Sequence, residues 1–341
     1  MNGKRIRLGH YMTGHDHSAA KLGCALSHPE LFEVVGCVAE SPEREAELRG
    51  REPYSSVRFM TREQLLEEGV DAVLVESYDL DLVRDSVFWA ENGIHIHMDK
   101  PAGGSVDEFA ALLRTCRRTG ARLQTAYMYR YNPAFLDCKR RIASGELGEI
   151  YQVCAVMNTC HDPEKRRWIS RLPGGIMFYL GCHMADLVCN IMGMPDDIHA
   201  YIKRTGFDGV DCQDFALAAF EYPHGVSIVE AASTEVNGYG RRQLVVCGSE
   251  GTYEIMPLEC PMKAYLTLKR DSRTYRDCRR QLDFPKDLSG TARYDDLLYD
   301  FAAMVRGEKE NPYSFEYELN LHRIIMYCCG AGNDWKTPVS I

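Results

Sequence analysis

From the amino terminus to about residue 125, short β-branched runs alternate with segments of helical periodicity, and no other feature of this 341-residue chain restricts its fold as strongly. Strands separated by helix-length crossovers run parallel, so the pattern calls for a sheet with helices packed on its faces. The expected strands are Arg5 to Gly9, Glu33 to Ala39, Ala72 to Glu76, Ile94 to Met98 and Arg122 to Ala126. Between them Ser18 to Leu26 carries Ala, Leu and Cys at helical spacing. Thr61 to Glu68 and Ser105 to Arg118 open on capping-box pairs, Thr61 with Gln64 and Ser105 with Glu108. The expectation for this half is an α/β, doubly wound parallel sheet.

From Gly148 the period changes to two. Ile150 to Asn158, His199 to Arg204, Phe215 to Tyr222, Val226 to Thr234, Arg242 to Cys247 and Gly251 to Ile255 alternate apolar and polar residues, as strands of an antiparallel sheet with one covered face do. Pro223-His224-Gly225 and Gly248-Ser249-Glu250-Gly251 are hairpin signals, and helical segments return at Gly181 to Met192, Tyr294 to Arg306 and Glu316 to Cys329. The length exceeds one comfortable core, so two domains are expected: 1–127, and 128–341 as an α+β domain with a large, mostly antiparallel sheet.

A net charge of -9 argues against a nucleic-acid partner, since phosphate-backbone binding needs concentrated Lys and Arg. No stretch approaches the ~20 apolar residues of a bilayer span, and Met1 to Leu8 leads into no apolar signal region. The fourteen cysteines include no C-x-x-C pair, which reads as free thiols in a reducing compartment. A cytoplasmic protein without a membrane partner is expected.

In an open parallel sheet, ligands bind beyond the carboxyl ends of the strands. The loop after the first strand reads Gly9-His10-Tyr11-Met12-Thr13-Gly14-His15-Asp16-His17. A G-x-G-x-x-G dinucleotide fingerprint would need glycine where Tyr11 stands, because its second glycine admits the pyrophosphate, so Tyr11 is expected to crowd that groove. Glu40, after the second strand, suits a ribose 2'-hydroxyl and would repel a 2'-phosphate, favouring NAD over NADP. His10, His15, Asp16 and His17 share this loop, and His95 and His97 share one strand face. They are conceivable metal ligands, but the favoured reading of the chain has no metal.

Gly93-Ile94-His95-Ile96-His97-Met98-Asp99-Lys100-Pro101 ends a strand in a Lys-Pro pair that resembles the glutamate-lysine-proline motif of the glucose-fructose oxidoreductase / inositol dehydrogenase / MocA (Gfo/Idh/MocA) family, with Asp99 for glutamate. The resemblance runs on through Tyr129-Arg130-Tyr131-Asn132-Pro133, through Ser144 to Ile150, and through the glycine-rich segment from Gly174 to Asp186 that contains His183. Gly248 to Thr252 is similar to a family turn. The resemblance implies an N-terminal Rossmann, nucleotide-binding domain and a C-terminal substrate domain that often forms a homo-oligomer, dimer or tetramer, through its sheet. It also implies an NAD-dependent oxidoreductase acting on a sugar, amino sugar, cyclitol or related polyol. Cofactor contacts would come from Gly9, Tyr11, Met12, Gly14, Glu40, Ser77, Asp99 and Lys100, and substrate contacts from Arg130, Trp168, His183 and Asp186.

The family's catalytic lysine, aspartate and histidine fall on Lys100, Tyr179 and His183, so the aspartate is missing. Oxidising an alcohol needs a proton acceptor and a cationic donor at one oxygen, which His183 and Lys100 supply by type. Tyr179 is either half of a Lys-Tyr acid/base pair or an aromatic wall. Two alternatives accompany the leading function: a member that uses NAD transiently to cleave glycosides, and a non-catalytic, cofactor-free sugar-binding member.

Overall fold

A computed structural model of the chain describes residues 4–271, 278–284, 288–332, 334–337 and 339–341. The chain divides into two compact units, one comprising Met1–Met128, Ser289–Leu319 and Val339–Ile341, the other Tyr129–Leu288 and Asn320–Pro338.

In the first unit, β1 (Ile6–Tyr11), β2 (Phe32–Val38), β3 (Ala72–Val75), β4 (His95–Met98) and β5 (Leu123–Thr125) form a sheet of order β2-β1-β3-β4-β5. Every neighbouring pair is parallel, as the alternation of strand and helix signals requires. The crossovers carry α1 (Ser18–Ser27), α2 (Pro42–Leu48), α3 (Arg62–Glu67), α4 (Leu82–Glu91) and α5 (Val106–Thr119). Side-chain caps fix three of the helix starts: Ser41 on α2, the expected Thr61/Gln64 box on α3, and Ser105 on α5. Each satisfies amides that a helix end leaves bare. Residues of β3 and β4 are packed by Trp89 of α4 and by Phe109, Leu112 and Leu113 of α5 into one apolar cluster.

The second unit contains α6 (Pro133–Ala143), α7 (Pro163–Ile169), α8 (Cys182–Met192) and an eight-stranded sheet. Its strands are β6 (Ile150–Asn158), β7 (Asp197–Lys203), β8 (Phe215–Tyr222), β9 (Gly225–Ala232), β10 (Gln243–Gly248), β11 (Gly251–Ile255), β12 (Ala264–Leu268) and β13 (Arg280–Leu282). The order is β13-β12-β11-β10-β6-β9-β8-β7, antiparallel except for the parallel β6–β9 pair. The β8–β9 hairpin turns at the expected site, with Tyr222 opposite Gly225. Ala216, Ala218, Phe220, Val229, Ala231, Leu244, Val246 and Tyr253 bury one face completely. On the other face Phe215, Leu217, Ile228, Val245 and Tyr265 are only partly covered.

Helices α2, α4 and α7 and strands β12 and β13 add to the expected elements, and two further features depart from expectation. β1 continues past Gly9 to Tyr11, because His10 and Tyr11 find ladder partners in both β2 and β3. The chain also returns to the first unit with α9 (Asp295–Val305) and the opening turn of α10 (Phe315–Cys328), segments expected in the second domain. Phe315 and Leu319 pack on the apolar cluster of the first unit, the Asn311 amide donates to the Leu123 carbonyl, and Asp295 accepts from the Cys24 thiol and the His28 ring.

Candidate functional site

In a sheet of this order the connections leave β1 and β3 in opposite directions, and a crevice opens between them at the carboxyl ends of the strands. Segments 12–17, 76–81 and 99–101 emerge there. Tyr11 does not obstruct it. As the last residue of β1 it turns its ring into the core, 4% exposed and edge-to-face on Trp89 at 5.2 Å between centroids. The expected crowding of the groove is therefore corrected: extending the strand assigns the side chain to the packed face. The aromatic residue that stands over the loop is Tyr78, 49% exposed, whose Cγ lies only 2.9 Å from where a Cβ on Gly14 would be. Met12 holds φ 65°, a left-handed conformation usually given to glycine.

Glu40 is engaged with this loop. Its two carboxylate oxygens accept the Thr13 amide and hydroxyl, both at 2.6 Å, and Arg44 Nε donates to the same hydroxyl at 3.1 Å. Ser77 donates to Asp85 at 2.7 Å.

Asp99 is the centre of a buried ionic cluster. Its Oδ2 meets Lys21 Nζ at 2.6 Å, His15 Nδ1 at 3.0 Å and His17 Nδ1 at 3.1 Å, while Oδ1 accepts the Lys100 amide at 2.7 Å. Lys21 also donates to Glu76 at 2.8 Å, and His15 Nε2 stands 3.7 Å from Asp79. Lys21, Glu76, Asp79, Asp99 and Lys100 are all at most 3% exposed. Burial opposes the charge on Asp99, but His15, Lys21 and His17 outweigh it and hold the carboxyl well below its usual range. Burial pushes Glu76 up to about 8 against the pull of Lys21. For His15 burial is outweighed by Asp99 and Asp79, raising the imidazole to about 10, whereas in His17 burial prevails and lowers it to about 4.

The other histidines of the conceivable metal set go elsewhere. His10 bonds Ser18 at 2.9 Å and His97 bonds Gln124 at 2.7 Å, both lowered by burial to about 3, and His95 accepts the Arg122 amide. Asp16 is exposed. His15, His17 and Asp99 do come together, with ligand atoms within 4.8 Å of one another, but the Lys21 ammonium already provides a cation at the carboxylate oxygen they share.

In the second unit a π-helical turn, Met177–Gly181, runs directly into α8 and carries Tyr179, with His183 and Asp186 on the next helical turn. Such turns are frequent at functional sites. Tyr179 stands edge-to-face on Trp168 of α7 at 5.3 Å, and the Lys165 ammonium lies 3.9 Å above the Trp168 ring and 4.7 Å above Tyr179. Two consecutive residues grip α8. Tyr129 meets the His183 ring edge-to-face at 4.8 Å and donates to Glu259 at 2.5 Å, while Arg130 forks onto Asp186 through Nε and NH2 at 2.8–3.0 Å. Arg130 and Asp186 are thus bonded to each other, both almost completely buried. Asn132 caps α6 ahead of Pro133, whose missing N–H costs no hydrogen bond at a helix's first turn. Lys21, Glu76, Asp79, Tyr78 and Glu259 were not singled out from the sequence, and Tyr129 only as part of a motif; a lysine on the apolar face of α1 and a glutamate closing an apolar strand were the available signals.

These features define a class: a two-domain α/β protein whose Rossmann-like parallel sheet presents a charged switch-point crevice, with a second unit built on a large, mostly antiparallel sheet. Residues 135–254 match the GFO/IDH/MocA C-terminal domain. Scyllo-inositol 2-dehydrogenase (NAD(+)) of Bacillus subtilis (strain 168) is 30% identical over 219 residues, 62% of this chain and 62% of the relative. D-xylose 1-dehydrogenase (NADP(+)) 2 of Haloferax volcanii is 26% identical over 217 residues, 61% of this chain and 64% of the relative. The chain thus spans less than two thirds of the length of either relative. Levoglucosan dehydrogenase, solved in complex with NADH and levoglucosan, superposes with a TM-score of 0.81 over 96% of this chain and 97% of the other. At 17% identity that likeness is one of fold. Among the described residues no helix is long and apolar enough to cross a membrane.

Proposed function

We propose that this chain is a nicotinamide-dependent oxidoreductase that oxidises a CH–OH group of a sugar, cyclitol or related polyol, with NAD as its cofactor. The observation that carries the reading is Lys100, an ammonium-bearing residue 1% exposed beside the switch-point crevice, its amide held by Asp99. Burying lysine is costly, and its retention at a strand's carboxyl end points to chemistry. The relatives are named for oxidising a cyclitol and a pentose, which supports the substrate class.

The donor set fits a dinucleotide. Tyr11 is withdrawn, segment 12–17 leads into the start of α1, and Glu40 can exchange Thr13 for ribose hydroxyls. Arg44 beside it is the group that would answer a 2'-phosphate, so Glu40 and Arg44 set the choice between NAD and NADP. When bound, the nicotinamide accepts the hydride. Lys100 donates to the substrate oxygen and holds the charge that develops there, and His183 takes the hydroxyl proton. Trp168 offers the polyol an aromatic platform, and Arg130 with Asp186 serves the substrate by holding α8. Tyr179 acts as proton donor or as wall, a choice that Tyr179→Phe decides through the pH profile of turnover. The partly covered face of the eight-stranded sheet supports self-association into a homo-oligomer, and the fourteen cysteines, none in a disulfide among the described residues, support a cytoplasmic location.

The test is NADH binding by fluorescence, then NAD reduction over a panel of inositols, aldoses and anhydrosugars. Lys100→Met and His183→Asn should each lower kcat/KM by about 10²–10⁴-fold. A chain that binds neither NADH nor NADPH would end the proposal.

A further inference from the structure

We propose that Lys21, which lies outside every motif of the sequence, is a positioning residue: acting through Asp99, it fixes the main chain at Lys100. The inference rests on the reading of Lys100 as a group at the reacting oxygen. Lys21 is completely buried on α1, among Ser18, Leu22, Cys24 and Ala25, a setting where leucine or methionine would fill the space without desolvating a charge. An ion pair retained against that cost serves geometry better than stability.

The geometry is specific. Asp99 meets Lys21 and His15 through Oδ2 and the Lys100 N–H through Oδ1, while His17 Nδ1 straddles the two oxygens at 3.1 and 3.4 Å. The Lys21 ammonium donating to Oδ2, with the two imidazoles packed beside it, stops the carboxylate from rotating, and that fixes the acceptor to which the Lys100 amide is tied. Of the three, Lys21 is the nearest, at 2.6 Å, and comes from within the helix, whereas both histidines belong to the loop before it. Glu76 Oε1 also accepts from Lys21, and its Oε2 is buried without a hydrogen-bond partner among the described residues. Its side chain helps to hold the ammonium, and its hydrogen bond to His15 runs through the backbone carbonyl, which a Gln side chain leaves in place. Removing Lys21 should therefore free Asp99, while neutralising Glu76 should leave the Lys21–Asp99 contact standing. A merely structural pair would make the two substitutions equivalent.

The test uses the full chain as wild type, Lys21→Met, Lys21→Arg and Glu76→Gln, with Lys21→Gln in reserve should Lys21→Met fail to fold. The first readout needs no substrate: hydrogen exchange of the Lys100 amide, followed by NMR with lysine-selective 15N labelling and assigned through Lys100→Arg. Exchange should accelerate about tenfold or more in Lys21→Met and stay near wild type in Glu76→Gln. The second readout is turnover of whichever polyol the panel supports. Lys21→Met should lower kcat about 10–100-fold with little change in KM and displace the alkaline limb of the pH profile, and Lys21→Arg should recover most of the loss. An unchanged Lys100 amide in Lys21→Met, or equal effects of Lys21→Met and Glu76→Gln, overturns the proposal. If the amide responds as expected but no polyol is oxidised, the positioning by Lys21 stands and the dehydrogenase reading fails.

Discussion

The Arg130–Asp186 pair gives the sharpest test of what holds α8. Asp186→Asn removes the anion while keeping the shape of the side chain, and leaves a guanidinium that is 1% exposed at its side chain without its carboxylate. Breaking one side of a buried pair of this kind costs about 3–5 kcal/mol, because the remaining charge stays desolvated and uncompensated. For a unit of this size each kcal/mol lowers Tm by about 2–4 °C, so the transition should move down by about 6–20 °C. Replacing both partners by apolar groups, Arg130→Met with Asp186→Leu, removes the buried charges together and should recover most of that loss. Calorimetry on the full chain reads the shift, and NADH fluorescence on the same samples reports whether the cofactor site survives. If Asp186→Asn melts within about 2 °C of wild type and instead raises KM for the polyol about tenfold, the pair is a substrate contact, as the sequence alone suggested, and the reasoning from their buried pairing is wrong.

Further outcomes follow from the same geometry. Tyr11→Gly, which restores the usual fingerprint glycine, should cost about 3–5 kcal/mol for the aromatic removed from the core and should not tighten NADH; a lower NADH Kd would contradict the packed position of Tyr11. Thermal stability should peak near neutral pH. The raised pKa values of Glu76, about 8, and His15, about 10, mean that the folded state holds protons the unfolded chain has released, so stability falls as pH rises through 8 and on to 10. The lowered values of His17, His10, His97 and His322, about 3 to 4, mean that the unfolded chain takes up protons first on acidification, so stability also falls as pH drops below about 6.5. Glu76→Gln should flatten the fall up to pH 8, and an unaltered Tm–pH curve would count against that assignment. Leu217→Glu on the partly covered sheet face should lower the oligomer order in light scattering while leaving the fold intact; an unchanged mass would move the interface elsewhere.

Much of this architecture could be read before any coordinates. Parallel strands follow from their β-branched runs, α3 and α5 from Thr61, Gln64 and Ser105, and α6 from Asn132-Pro133, because each signal is local. Helix α4 was not anticipated, although Leu82, Val83, Ser86, Trp89 and Ala90 repeat at helical spacing. Tyr11 was misplaced because a strand's end is set by its neighbours' ladders, which the strand's own residues do not record. Lys100 and His183 could be singled out by motif. The partners of Asp99 could not, because Lys21 lies 78 residues away and its contact exists only once α1 packs on the sheet. The same holds for Tyr129 with Glu259, 130 residues apart.

The return of 289–319 to the first unit governs the order of assembly during synthesis. A ribosome that has released residue 128 has made every strand of the parallel sheet but neither α9 nor the Phe315–Leu319 turn that packs on its core, so this unit emerges unfinished and stays so while the whole intervening unit is translated. Domains made in sequence normally mature in sequence. Here the first to be started is among the last to close, and a fragment ending at residue 128 would carry its apolar cluster partly bare to water.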